Sequence, residues 1–191
     1  MNVMETRKLT ELPHLNLFRV HYEDRRGDSK AWIFASRQDP PRLVSEEWDT
    51  PDAVVIVPYH AARQKLVIIE EFRVAIGGYQ YGFPAGLVDD GETIETTCRR
   101  ELAEETGLTL GRILRQSPPV LSSSGITDES VAMVFVECDG TPSNKGNEGS
   151  EDIRTLFVGR QQAQAICAAA DRRMDVKTWI VLSAYAQFGV V

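Results

Sequence analysis

One stretch restricts this chain more than any other: Gly86 to Leu108, GLVDDGETIETTCRRELAEETGL. It reads as a glycine-bounded turn feeding a helix whose last turns carry Glu101, Glu104 and Glu105. At roughly 100° per residue, carboxylates spaced i, i+3 and i+4 share one edge of a helix. Like charges at that spacing repel, so either solvent screens the edge or a divalent cation neutralises it. Oxygen-only donors suit magnesium or manganese. Zinc would require His or Cys close by, and the stretch offers no histidine and only Cys98.

Each neighbouring residue has a physical task. Gly86 and Gly91 permit positive φ or a close approach of the chain to a site. Thr93 is placed to cap the helix, with Glu92 and Glu95 near its first turn, where exposed amides favour negative charge. Gly107 is placed to end it in a left-handed conformation. Cys98 and Leu102, four apart, would anchor the helix to a core, and Arg100 can pair with Glu104 or reach back to Glu92. The bland alternative is a solvated acidic helix.

Written as a pattern, the stretch is Gly86, five residues, Glu92, seven residues, Arg100-Glu101-Leu102, one residue, Glu104-Glu105, one residue, Gly107-Leu108. This resembles the Nudix box at every defining position. The resemblance implies an α/β protein, a Nudix α/β/α sandwich around a mixed β-sheet, acting as a pyrophosphohydrolase with Mg2+, or with Mn2+ in its place. It further implies metal ligation by Glu101, Glu104, Glu105, the Ala85 carbonyl and Glu151, with Gly86, Glu92, Arg100 and Gly107 in structural roles.

The rest of the chain accommodates such a domain. Its 191 residues, 42% hydrophobic, suffice for one buried core with an appendage. A formal net charge of -7 disfavours nonspecific binding to nucleic acid or an anionic membrane. The opening segment has no uninterrupted apolar run, so neither a signal peptide nor a membrane span is expected. Three cysteines without paired or metal-like spacing suit a reducing, cytoplasmic compartment. Residues 15–36 read as an antiparallel β-hairpin turning at Arg26-Gly27-Asp28, a turn signal rather than an adhesive motif. A polar, proline-containing connector over residues 38–52 follows, so residues 1–50 are expected to form a hairpin extension and residues 51–191 the catalytic domain. Strands are expected at AVVIVPY, KLVIIEEF, LGRILRQ, VAMVFVEC and RTLFVG, with closing helices from about Arg160 to Ala170 and Asp175 to Phe188.

Outside the box, the chain is similar to Nudix enzymes that hydrolyse ADP-ribose and other nucleoside diphosphate sugars. Glu71-Phe72-Arg73 resembles the strand end that sets an arginine by the substrate phosphates, so Arg73 is the candidate for the pyrophosphate. Pro84-Ala85-Gly86 resembles the turn whose alanine carbonyl binds metal, and Ser123 to Glu129 resembles a loop beyond the box that makes Gly125 and Glu129 substrate-binding candidates. Two departures bear on the substrate: Gly82 stands where the family's turn often has glutamate, and Ser124 where a proline accompanies ADP-ribose specificity. ADP-ribose, cleaved to AMP and ribose 5-phosphate, comes first. GDP-mannose or another nucleotide sugar, or a nucleoside triphosphate in a sanitising role, are the alternatives within the class. A catalytically silent Nudix binding domain would lack box carboxylates, and none is lacking here.

Glu105 belongs to the expected catalytic set, but the water-activating base is sought in the loop Gly146 to Asp152, where Glu151 matches the family's carboxylate before the strand and Glu148 is the substitute. Gly146 and Gly149 would allow that loop to swing. A lone hairpin is marginal in water, so a homodimer is expected, with Phe18, Tyr22, Trp32 and Phe34 as contacts, and with the extension helping to bind the base, as in the relatives.

Overall fold

The structure, a computed structural model, describes residues 1–42 and 49–189, so the connector expected over residues 38–52 lies partly outside the described residues. Contacts divide the chain into two units, Met1–Asp52 with Pro119–Val131, and Ala53–Pro118 with Ala132–Val191.

The first unit is built on a three-stranded antiparallel sheet of β1 (Asn2–Lys8), β2 (Asn16–Glu23) and β3 (Ser29–Ser36). The hairpin between β2 and β3 turns where expected. Gly27 takes φ 85°, and the Asp24 carboxylate accepts from the N–H groups of Arg26 (2.8 Å) and Asp28 (3.0 Å). β1 was not anticipated. It is an edge strand, exposed along most of its length, and backbone pairing with β2 holds it without a buried face to advertise it in the sequence. Residues 119–131 are fastened to β3: Ala35 N–H donates to the Ile126 carbonyl (2.8 Å), and the Ser36 hydroxyl donates to Asp128 (2.8 Å). Phe18 corrects one expectation. It is only 2% exposed, with its ring against Phe34 at 5.9 Å between centroids, so it is not a surface contact for a partner.

The second unit contains β4 (Ala53–His60), β5 (Lys65–Arg73), β6 (Gly78–Gly82), β7 (Ala85–Leu87), α1 (Ile94–Thr106), β8 (Thr109–Gln116), β11 (Ile153–Val158), α2 (Arg160–Ala168) and α3 (Val176–Phe188). Two remaining strands complete the count: the two-residue β9 (Val120–Leu121) pairs with the first residues of the long β10 (Ser130–Asp139), most of which runs on into the second unit. The eight-stranded sheet has the order β11-β5-β4-β10-β8, with β6 on β5, β7 on β4 and β9 on β10. Its central strands are apolar at successive positions because both faces are covered. On one face Val54, Ile56, Val67, Ala132, Val134 and Val136 pack with Cys98 and Leu102 of α1. On the other face, which Val55, Val57, Leu66 and Ile68 share by strand alternation, α3 brings its buried Val181, Leu182 and Tyr185, and α2 packs on α3. The result is the expected α/β/α sandwich.

All five expected strands are present as β4, β5, β8, β10 and β11, and both closing helices as α2 and α3. β6 (GYQYG) and β7 (AGL) were not foreseen, since glycine weakens any strand signal; ladders to β5 and β4 supply what propensity lacks.

Candidate active site

Helix α1 begins and ends on the devices expected of it. The Thr93 hydroxyl accepts from Thr96 N–H at 3.2 Å, and Gly107 caps the C-terminus at φ 70°. The buried positions Cys98, Leu102, Glu105 and Thr106 fall at helical spacing on one stripe, so Glu105 is a carboxylate on the core-facing side. It is 7% exposed, and its Oε2 has no hydrogen-bond partner among the described residues. Burial pushes its proton affinity well above the ordinary carboxylate range, and the charges of Glu101, Glu71 and Glu151 push it further.

Glu101 lies one turn back. Burial raises its proton affinity too, with Glu104 and Glu151 adding to the effect and Arg100 opposing it. A Cβ at Gly86 would overlap the Glu101 carboxylate, so glycine is required there by close approach rather than by backbone angle. Gly91, in contrast, needs its freedom for φ 83°.

Arg100 braces this corner. It clasps Glu92 with Nε (3.0 Å) and Nη2 (2.8 Å), and donates to Glu101 (2.6 Å), to Glu104 (3.3 Å) and to the Leu87 carbonyl (3.1 Å). The two pairings anticipated for this arginine, with Glu104 and with Glu92, are made at once. The guanidinium holds Glu92 down to about pKa 2, with Thr97 O–H adding a second donor at 2.9 Å.

Ala85 faces the helix. Its N–H reaches Glu105, whereas the preceding Pro84 carbonyl accepts from Ile56 N–H of β4 at 2.8 Å. Because the N–H and C=O of one strand residue point the same way, the Ala85 carbonyl is directed towards the same side as Glu105.

The acidic loop is held in place. A Cβ at Gly146 would lie 2.8 Å from the Glu104 carbonyl, so this glycine allows the loop to pack on α1 rather than serving as a hinge; Gly149 has open space around it. Glu148 and Glu151 close a turn on each other, Glu148 N–H donating to the Glu151 carboxylate (2.9 Å) and Glu151 N–H to the Glu148 carbonyl (3.0 Å). Of the two, it is Glu151 whose charge is felt by Glu71, Glu101 and Glu105.

Glu71 is the residue that sequence reading passed over. Val67, Ile69 and Glu71 alternate onto one face of β5, and Val67 packs under α1, so Glu71 continues the buried stripe past the end of the core. A charge on the period-2 continuation of an apolar run was the available signal. Glu71 sits opposite Ile153 in the β5–β11 ladder, two residues on from Glu151, and pairs with Arg73 Nε at 3.0 Å. The remaining candidates, Gly125 and Glu129, belong to the first unit, where the Gly125 carbonyl accepts from Trp32 Nε1 (3.1 Å) and Glu129 pairs with Arg37 (3.5 Å).

Among the described residues no group of three or more His, Cys, Asp or Glu is already drawn together as a ligand set; Arg100 takes up Glu101 and Glu104 instead. The donor chemistry nonetheless fits a hard divalent cation. The orphaned buried carboxylate oxygen on Glu105 and the repelling carboxylates of Glu101 and Glu151 are oxygen donors that a cation would neutralise, and Gly86 gives the Glu101 carboxylate room for close approach.

Comparison with known proteins agrees with this arrangement. The family model for the NUDIX domain matches residues 49–177, and the chain belongs to that family. "Putative nudix hydrolase 2" of Caenorhabditis elegans is 30% identical over 159 residues, 80% of this chain and 69% of that one. The "ADP-ribose pyrophosphatase" of Escherichia coli (strain K12) is 34% identical over 130 residues, 62% of this chain and 60% of the relative, so the match spans less than two thirds of that enzyme's length. A solved structure described as "Crystal structure of ADP compounds hydrolase" superimposes with a TM-score of 0.73 at 18% identity, covering 99% of this chain and 96% of the other.

Proposed function

We propose that this protein hydrolyses the pyrophosphate bond of a nucleoside diphosphate sugar, with ADP-ribose as the first substrate and AMP and ribose 5-phosphate as products. The observation that carries this reading is Glu105, a buried carboxylate with an orphaned oxygen on the box helix, surrounded by Glu71, Glu101 and Glu151. Bound Mg2+, or Mn2+, supplies polarisation of the phosphoryl oxygens and a lower pKa for the attacking water. Glu101, Glu105, Glu104, Glu151 and the Ala85 carbonyl would hold it. Arg73, at the end of β5 and half exposed, binds the pyrophosphate. Glu151 takes the proton from water, in preference to Glu148, because Glu151 is the one coupled to the other carboxylates. Three unpaired thiols suit a cytoplasmic setting, and among the described residues no helix is long and apolar enough to cross a membrane.

The test is hydrolysis of ADP-ribose, GDP-mannose, UDP-glucose and nucleoside triphosphates with and without Mg2+. ADP-ribose should be cleaved fastest, and only with the metal. Glu105→Gln should lower turnover at least about a hundredfold, a few kcal/mol of transition-state stabilisation, with an unchanged circular dichroism spectrum. Undiminished turnover in that variant removes Glu105 from the site. Faster cleavage of a triphosphate replaces the substrate. For the base, Glu151→Gln should lose turnover under saturating Mg2+ and substrate while Glu148→Gln keeps it.

A further inference from the structure

Arg73 is a long, half-exposed side chain at a strand end, and such a guanidinium is ordinarily free to sweep a wide arc. Here it is not free. The carboxylate of Glu71, two residues earlier on the same face of β5, forms an ion pair with the Nε edge of Arg73 at 3.0 Å. Glu71 is itself well fixed: its side chain is 16% exposed, and its strand lies between β11 and β6, opposite Ile153 on one side and Gln80 on the other. A carboxylate that engages Nε leaves both terminal nitrogens of the fork for another ligand, and those are the nitrogens that grip a pair of phosphate oxygens.

Resting on the reading of Arg73 as the pyrophosphate arginine, we propose that Glu71 is a positioning residue, holding the Arg73 guanidinium with its terminal nitrogens presented to the substrate. Two independent observations favour this role over a chance surface pair. Glu71 is set on the side of the sheet that carries the box helix, where its charge is felt by the orphaned Glu105 carboxylate, whereas its neighbour Glu70 alternates to the other side and pairs with Arg154 at 3.5 Å. The geometry is also selective: Glu71 sits at the Nε edge of the guanidinium, which leaves the end-on edge, Nη1 and Nη2, for a second anion. Substrate then meets an arginine already ordered, and less side-chain entropy is lost on binding.

The experiment is steady-state kinetics on the full chain with ADP-ribose, titrating substrate and Mg2+ separately, for wild type, Glu71→Ala, Glu71→Gln, Arg73→Ala and the double variant Glu71→Ala/Arg73→Ala. Glu71→Ala should raise KM about tenfold, change kcat less than about threefold and leave the Mg2+ half-saturation unmoved. Glu71→Gln, which keeps an acceptor for Nε, should recover most of the KM. In the Arg73→Ala background the Glu71→Ala change should have no further effect on KM. Additive KM effects, or a fall in kcat with a shifted Mg2+ half-saturation, overturn the proposal and make Glu71 a ligand or base in its own right. Wild type inactive on every pyrophosphate would instead overturn the proposed function. The positioning role would then be read from binding of non-hydrolysable α,β-methylene ADP-ribose by the same five proteins: non-additive losses support it, and additive losses or none overturn it.

Discussion

Gly86 and Gly107 are both glycines of one motif, yet they are required for different reasons. At Gly86 the obstacle to a side chain is the Glu101 carboxylate, the far end of a flexible group; at Gly107 it is φ 70° together with the Ser143 backbone nitrogen, 2.6 Å from where a Cβ would stand. The two alanine variants should therefore separate stability from activity. Gly86→Ala should melt within a few degrees of wild type while turnover drops at least about tenfold, because Glu101 is pushed from its place. Gly107→Ala should cost more than about 1 kcal/mol of stability, since alanine pays for a left-handed conformation and the backbone contact cannot yield. Thermal melts and ADP-ribose turnover measured on both variants check this, and a stable, fully active Gly86→Ala would show that Glu101 tolerates displacement.

At the scale of the element, α1 is anchored twice: by Cys98 and Leu102 in the core, and by Arg100 clasping Glu92 in the preceding loop. The second anchor titrates. Glu92 ionises at about 2 in the folded chain against about 4.5 as an ordinary glutamate, chiefly because of the Arg100 guanidinium. A folded-state value below the unfolded one means that the stabilisation is fully present above pH 4.5 and is lost as pH falls from about 4.5 towards 2. Melting curves of wild type and Glu92→Gln should differ by a constant margin at neutral pH and converge across that window. A margin that does not change with pH would mean that the clasp persists in the unfolded chain or contributes nothing.

The whole molecule presents an apolar hollow in its first unit, lined by Met1, Val3, Tyr22 and Trp32, with Val3 and Trp32 each about half exposed. Exposed apolar side chains along a sheet with an open edge strand are a liability unless something covers them. A second copy of the chain is the expected cover. Sedimentation or light scattering at micromolar concentration should give twice the 21.3 kDa of one chain, and Trp32→Glu should shift the population to monomer. A strictly monomeric wild type would refute the dimer.

Local and periodic features were legible in the sequence alone. The box glycines, the Thr93 cap, the buried spacing of Cys98 and Leu102, the hairpin turn at Gly27 and the five long strands follow from turn chemistry and periodicity acting over a few residues. What the tertiary structure decided is which distant groups meet. β1, β6 and β7 exist because a neighbouring strand offers hydrogen bonds, and their own residues barely favour extension. Gly146 looked like a hinge until α1 was found against it. Glu71 looked like one more charge at the end of an apolar run; only the pairing of β5 with β11 sets it beside Glu151, and only the packing of α1 over the sheet brings its charge to bear on Glu105. Pattern within a segment is encoded by nearest neighbours along the chain, whereas a carboxylate's environment is set by residues dozens of positions away, through burial and Coulomb forces that act across space.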